Sequence, residues 1–294
     1  MQGLVIGNIA DLYKVELENK IYDCQARGKL KNDGNSLAVG DLVEIEIRDE
    51  NKKIAVINKI LERKVYIKRP KIANISQLVL VVSSKNPKPD LLMLDKQLAF
   101  AEFLRIKAII VLNKQDLDDK NKFEEIKKIY ENIGYKVVIT EAKDGIGIDE
   151  LKTYLKNNIN AFSGNSGVGK STLINQIFSY NLTEEGEISS RNKRGKNTTT
   201  NSTLYKIDDN TYIADTPGFS TFSIVEEIES KNLEKYFVEF YKNKDLCEFV
   251  GCSHIKEQNC NIKKLLEQRK ISLSRYENYC KIYNELKLKE ERRW

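Results

Sequence analysis

The chain has 294 residues, 40% of them hydrophobic, which is too long for one ordinary core and apolar enough for two or three packed domains. Lys and Arg number 49 against 43 Asp and Glu, a net charge of +6 that permits an anionic partner without requiring one. No uncharged apolar run reaches about 18 residues, and Met1-Gln2-Gly3-Leu4-Val5-Ile6 lacks a basic segment ahead of a long apolar one, so neither a spanning helix nor an export signal is expected.

Residues 1–66 read as all-β. Leu4-Val5-Ile6, Tyr13 to Leu17, Ile21 to Cys24 and Leu42 to Ile47 are short, mostly alternating runs separated by Gly, Asn and Asp turns. Five or so such strands predict a small barrel. An oligonucleotide-binding (OB) barrel offers one strand face to RNA, with Lys29, Lys31, Arg48, Lys52 and Lys53 as candidate phosphate contacts; an SH3-like structural barrel is the alternative.

Arg69-Pro70 marks a boundary, since the residue before proline is driven out of helical conformation. Beyond it, Leu78 to Val82 is a continuous apolar run of the kind that forms a buried parallel strand. Asn86-Pro87-Lys88-Pro89 predicts a turn, and Asp90 a cap for a helix with apolar positions at Leu91, Leu94, Leu98 and Ala101. A second strand, Ala108 to Leu112, ends in Asn113-Lys114-Gln115-Asp116. Ligands bind beyond the carboxyl ends of strands in such sheets. There the Asp116 carboxylate can accept from both N1–H and the 2-amino group of guanine, a donor pair that adenine lacks. Lys114 would lie along the base and Asn113 would brace neighbouring loops. A helix over 122–133 and a strand over 135–139 lead to Thr140-Glu141-Ala142-Lys143, where the Ala142 N–H could meet the guanine oxygen.

Gly164-Asn165-Ser166-Gly167-Val168-Gly169-Lys170-Ser171-Thr172 fits the phosphate-loop pattern. Its backbone N–H groups would wrap a polyphosphate, Lys170 would reach the outer phosphates, and Ser171 would coordinate Mg²⁺. The flanks agree, with a strand ending at Ser163 and helical spacing from Thr172 to Phe178 that aims a helix N-terminus at the anion.

The polar stretch 184–200 closes on Thr198, Thr199 and Thr200, one of which could meet Mg²⁺ and the γ-phosphate in a switch loop. Tyr212 to Ala214 is a short strand ending in Asp215-Thr216-Pro217-Gly218, where Asp215 could hold Mg²⁺ through water and the Gly218 N–H the γ-phosphate. The residue that follows is Phe219, which cannot position water as the Gln of Ras-like enzymes does. A phosphate-loop kinase or ATPase is the alternative class, and Asp116 argues against it.

Cys247, Cys252, His254 and Cys260 bring together three thiolates and the chain's one histidine, a closed tetrahedral set suited to one structural Zn²⁺ per chain. Cys24 and Cys280 lie outside this set and read as ordinary buried or helical residues. From about Ile262 the chain is helical and charged.

The base-reading motifs precede the phosphate loop, the reverse of the usual order. In this, and from barrel to Cys/His module, the chain resembles the ribosome small-subunit-dependent GTPase A family of circularly permuted GTPases. The resemblance implies an OB-like barrel over 1–66, a permuted α/β GTPase domain over 67–222 and a zinc-binding helical domain over 223–294. It implies a cytoplasmic, non-membrane GTPase, expected as a monomer, that binds GTP or GDP with Mg²⁺ and acts in late maturation of the 30S ribosomal subunit. Contact with its rRNA, and turnover stimulated by the ribosome, are implied as well. A GTP-regulated RNA-binding scaffold with incidental hydrolysis is the alternative. The resemblance places Lys170, Thr199, Asn197 and Gly218 around the reacting phosphate. The family carries His where this chain has Asn197. Asn197 can orient water by hydrogen bonding and cannot act as a base, so water positioning falls to the partner or to the threonine loop.

Overall fold

The computed structural model describes residues 1–28, 36–68, 70–184, 202–215 and 227–292, with side chains omitted for 179–184. Lys29, Lys31, Asn197, Thr198, Thr199, Thr200, Gly218 and Phe219 therefore lie outside the described residues.

In chain order the strands are β1 (Gln2–Ile9), β2 (Leu12–Leu17), β3 (Lys20–Ala26), β4 (Leu42–Asp49), β5 (Ile54–Ile60), β6 (Tyr66–Lys68), β7 (Lys71–Ala73), β8 (Gln77–Ser83), β9 (Lys107–Asn113), β10 (Lys136–Thr140), β11 (Ile159–Ser163), β12 (Thr203–Asp208) and β13 (Thr211–Asp215). The helices are α1 (Leu91–Leu104), α2 (Lys122–Ile133), α3 (Ile148–Leu155), α4 (Lys170–Glu184), α5 (Val238–Tyr241), α6 (Asn261–Glu267) and α7 (Leu273–Glu291). They divide into two compact units, Met1–Leu78 with Ile148–Phe162 and Ser171–Phe219, and Val79–Gly147 with Ser163–Lys170 and Ser220–Trp294.

In the first unit β1 to β5 close a barrel. Antiparallel pairs join β1 to β2, β2 to β3 and β4 to β5, β3 runs parallel to β5, and β1 meets β4 through Gln2 to Leu4 to close the ring. That circuit, with its parallel β3–β5 step, is the OB-like arrangement rather than the SH3-like one. Period-two alternation turns Val5, Val15, Tyr22, Cys24, Val43, Ile45, Ala55 and Ile57 inward. Each such aliphatic side chain contributes about 1.5–3 kcal/mol by leaving water. Arg48 and Lys52, candidate phosphate contacts, pair with Glu46 and Asp49. The stretch read as a boundary carries the β6–β7 hairpin, which period-two counting missed because each strand has three residues.

The barrel's sheet continues into the rest of this unit. β1 pairs antiparallel with β12, β12 with β13, and β13 runs parallel to β11. Lys206 on β12 meets Glu16 on β2 at 2.6 Å, and the Tyr212 hydroxyl donates to the same carboxylate at 3.1 Å.

The second unit holds strands in the order β10-β9-β8, with β9 and β10 parallel. β8 is buried throughout, as its unbroken apolar run requires. Asp90 caps α1, its Oδ1 accepting from the Met93 N–H at 2.9 Å, and α1 ends where Arg105 turns left-handed. Asp118 caps α2 by accepting from the Lys122 and Phe123 N–H groups at 3.1 and 3.0 Å.

The C-terminal segment, expected as helical from Ile262, is two helices, α6 and α7, broken at 268–272. The wholly buried Arg275 of α7 donates to Asp95 of α1 at 2.6 Å and grips Glu239 of α5 through Nε and Nη2 at 2.7 and 3.0 Å. Asn278 and the Tyr130 hydroxyl each donate to Asp95 at 2.7 Å. Asp95 thus has the partners that burying a carboxylate demands. Burial still pushes it above the ordinary carboxylate range, against the pull of Arg275 and its hydrogen bonds.

Candidate functional site

Four loops leave the carboxyl ends of β8, β9, β10 and β11, and Asn113 ties three of them together. It is buried at the last position of β9. Its Nδ2 donates to the Val168 carbonyl at 2.9 Å, and its Oδ1 accepts from the Thr140 hydroxyl at 3.0 Å and the Ala142 N–H at 3.1 Å. One side chain thus joins the N-K-x-D segment, the 140–143 segment and the phosphate loop. The Ala142 N–H, expected from sequence at the guanine oxygen, is here directed at Asn113.

Lys114 takes a left-handed conformation, its ammonium donates to the Asn86 carbonyl, and its own carbonyl accepts from the Ser84 hydroxyl at 2.7 Å. Asp116 is exposed on the turn that follows.

The loop Gly164 to Gly169 depends on its glycines. Gly164 has a φ of +139°, and a Cβ there would sit 2.2 Å from the Val81 carbonyl oxygen; at Gly169 it would sit 2.3 Å from Asn113 Nδ2. Side chains at either position would push the loop off β8 and β9. Lys170 folds back over the loop, its ammonium donating to the carbonyls of Gly164 at 2.6 Å and Asn165 at 2.9 Å. Burial lowers its pKa. A half-buried lysine held at the glycine loop by two backbone carbonyls stands where phosphate oxygens could replace them.

Ser166, Gly167 and Val168 complete the turn, and Ser171 and Thr172 stand exposed on the first turn of α4. Asp215 ends β13, in the same unit as Ser171. Three contacts lay outside the sequence reading. Asn165 Nδ2 donates to Asp90 Oδ2 at 3.2 Å, Gln97 Nε2 donates to the Ser163 hydroxyl at 2.8 Å, and Glu234 reaches the histidine of the metal cluster. The first two come from α1 and the third from a residue 20 positions before His254, separations that no motif spacing records.

Cys247, Cys252, His254 and Cys260 converge, their ligand atoms all within 4.8 Å of one another. His254 Nδ1 lies 3.3 Å from Cys260 Sγ and 3.6 Å from Cys247 Sγ, while Nε2 meets Glu234 Oε2 at 3.0 Å. A carboxylate on the far ring nitrogen fixes the tautomer that leaves Nδ1 free to bind a metal. The Asn261 N–H donates to Cys247 Sγ at 3.3 Å. Burial pushes the Cys252 thiol up to about 12, and burial lowers His254 against the opposing pull of Glu234. Such thiols are costly to ionise alone, whereas a divalent cation would hold them as thiolates. The donor set fits a metal ion.

Phosphate loop, N-K-x-D strand end and D-x-x-G strand, in permuted order on an α/β scaffold, define a circularly permuted GTPase. The family model described as RsgA GTPase matches residues 60–225, and the one described as RsgA N-terminal domain matches residues 2–57. The chain belongs to the RsgA GTPase family. Among its relatives, the small ribosomal subunit biogenesis GTPase RsgA of Clostridium novyi (strain NT) is 42% identical over 97% of each chain, and that of Clostridium beijerinckii is 40% identical over 100% of each. The crystal structure of YjeQ from Thermotoga maritima matches with a TM-score of 0.84 and 37% identity, covering 97% of this chain and 98% of that one. YloQ, described as a circularly permuted GTPase, matches with a TM-score of 0.82 and 29% identity over 98% and 95%. Among the described residues no helix is long and apolar enough to cross a membrane.

Proposed function

We propose that this GTPase acts in late maturation of the small ribosomal subunit, contacting its rRNA and hydrolysing GTP faster when bound to it. The observation that carries the nucleotide part is the Asn113 to Val168 hydrogen bond, which couples the guanine-type strand end to the phosphate loop. The ribosomal part is supported by the name of the relatives, small ribosomal subunit biogenesis GTPase.

In this reading Lys170 and the N–H groups of Gly164 to Thr172 bind the phosphates, and Ser171 and Asp215 hold the Mg²⁺ that neutralises charge on them. Asp116, Lys114 and the Ala142 segment select guanine, with Asn113 bracing the loops. Thr199, Asn197 and Gly218 take part on the strength of sequence alone. With Phe219 beyond the D-x-x-G segment and Asn197 unable to act as a base, intrinsic turnover is slow and the ribosome completes the water-positioning geometry. Cys247, Cys252, His254 and Cys260 hold Zn²⁺ as a structural ion that fixes the helical module. The working boundaries are 1–66, 67–222 and 223–294, in a monomeric cytoplasmic protein.

The test is GTP turnover by the full chain with and without purified small subunits, alongside Lys170→Ala. Stimulation that Lys170→Ala abolishes is the expected result. Equal turnover in both conditions overturns the ribosome-dependent reading.

A further inference from the structure

Helix α1 and its cap residue touch the phosphate loop once and the strand end that leads into it once. At its N-terminus the Asp90 carboxylate, besides capping the helix, accepts from the Asn165 side chain at 3.2 Å. Two helical turns further on, Gln97 donates to the Ser163 hydroxyl at 2.8 Å, where both residues are buried. A seven-residue spacing puts both on one helix face, with Leu94 between them beside Gly164 and Val168 in a shallow cavity. The residues they hold flank Gly164, which has no side chain to fix its own backbone.

On its other flank α1 is anchored by Asp95 to Arg275, Asn278 and Tyr130, and by an ion pair between Lys96 and Glu285. A loop held by a helix is only as rigid as the helix. Here that helix is fixed in turn by α2 and by the C-terminal segment that carries the Cys/His cluster.

We propose that α1 clamps the phosphate loop in its phosphate-binding shape, with Asp90 and Gln97 as positioning residues that act through Asn165 and Ser163. The proposal rests on the nucleotide-site reading above. It makes nucleotide affinity depend on two side chains that touch no nucleotide.

Two substitutions separate positioning from mere capping. Serine caps helices about as well as aspartate but is too short to reach Asn165, whereas asparagine caps through Oδ1 and reaches with Nδ2, which donates to Asn165 once that side-chain amide turns over to present its oxygen. GDP affinity is measured on the full chain by titration, with thermal melting alongside. Asp90→Ser is expected to bind GDP about three- to tenfold more weakly with an unchanged melting temperature, and Asp90→Asn to bind as the parent does. In the interior, Gln97→Met removes the donor to the Ser163 hydroxyl and weakens GDP binding. The clamp is overturned if Asp90→Ser binds GDP like the parent, or if Asp90→Asn fails equally, while Lys170→Ala has lost GDP. Should Lys170→Ala bind GDP normally, the nucleotide-site reading falls and the clamp falls with it.

Discussion

Asn113 donates to the Val168 carbonyl at 2.9 Å, and by that bond a residue 55 positions upstream of Val168 becomes part of the phosphate loop's wall. The bond shows how a permuted chain brings its N-K-x-D segment to the phosphate loop. The loops need not be consecutive; they need only leave the same end of one sheet.

Replacing Asn113 with Ala would leave the Val168 carbonyl, the Thr140 hydroxyl and the Ala142 N–H short of a partner in the interior. The expected cost is about 2–4 kcal/mol of stability together with weaker GDP binding, measured by denaturant unfolding and by nucleotide titration. Thr140→Val should cost less, since Asn113 keeps its other two bonds.

Asp116→Asn exchanges a double acceptor for a group with one acceptor and one donor, which no longer matches the N1–H and 2-amino pair of guanine. Preference for GDP over xanthosine diphosphate should fall by about 10- to 150-fold, read from competition binding. Unchanged preference would remove Asp116 from the base site.

The lowered pKa of Lys170 gives nucleotide binding a pH dependence of known sign. Burial favours the neutral amine in the free protein, and bound phosphates favour the ammonium, so binding takes up a proton in alkaline solution. GDP affinity should fall as pH rises through the lowered pKa of the free protein, which lies below 10.5. Lys170→Arg, whose guanidinium stays charged, should flatten that dependence whatever its absolute affinity.

Glu234→Gln keeps the shape of the residue behind His254 but removes the charge that holds Nε2. Metal affinity should drop about 10- to 100-fold, followed by competition with a chromophoric chelator. Retention equal to the parent would mean that the imidazole is oriented by packing alone.

Arg275→Ala would strand the buried Asp95 carboxylate and open a cavity beside Phe237 and Tyr130. Breaking such a pair from one side costs about 3–5 kcal/mol, visible in denaturant unfolding. Combining Asp95→Leu with Arg275→Met should recover little of that loss, because Glu239, Asn278 and the Tyr130 hydroxyl then lose their partners in the interior.

The sequence by itself determined what depends on neighbours along the chain. The phosphate loop, the strand runs, the α2 span over 122–133 and the Cys/His spacing were legible because each is a local pattern of conformational demand: glycines where φ is positive, apolar residues at period two or 3.6, ligands a few residues apart. Only the tertiary structure decided which patterns meet. Pairing of β1 with both β4 and β12 closes the barrel and extends its sheet, and hydrogen-bond partners in a sheet leave no mark in the sequence of either strand. Glu234 behind His254, Gln97 beneath Ser163 and Arg275 against Asp95 were invisible for the same reason. A buried polar side chain is chosen by the partner that desolvation forces on it, and that partner is named only when distant segments fold together.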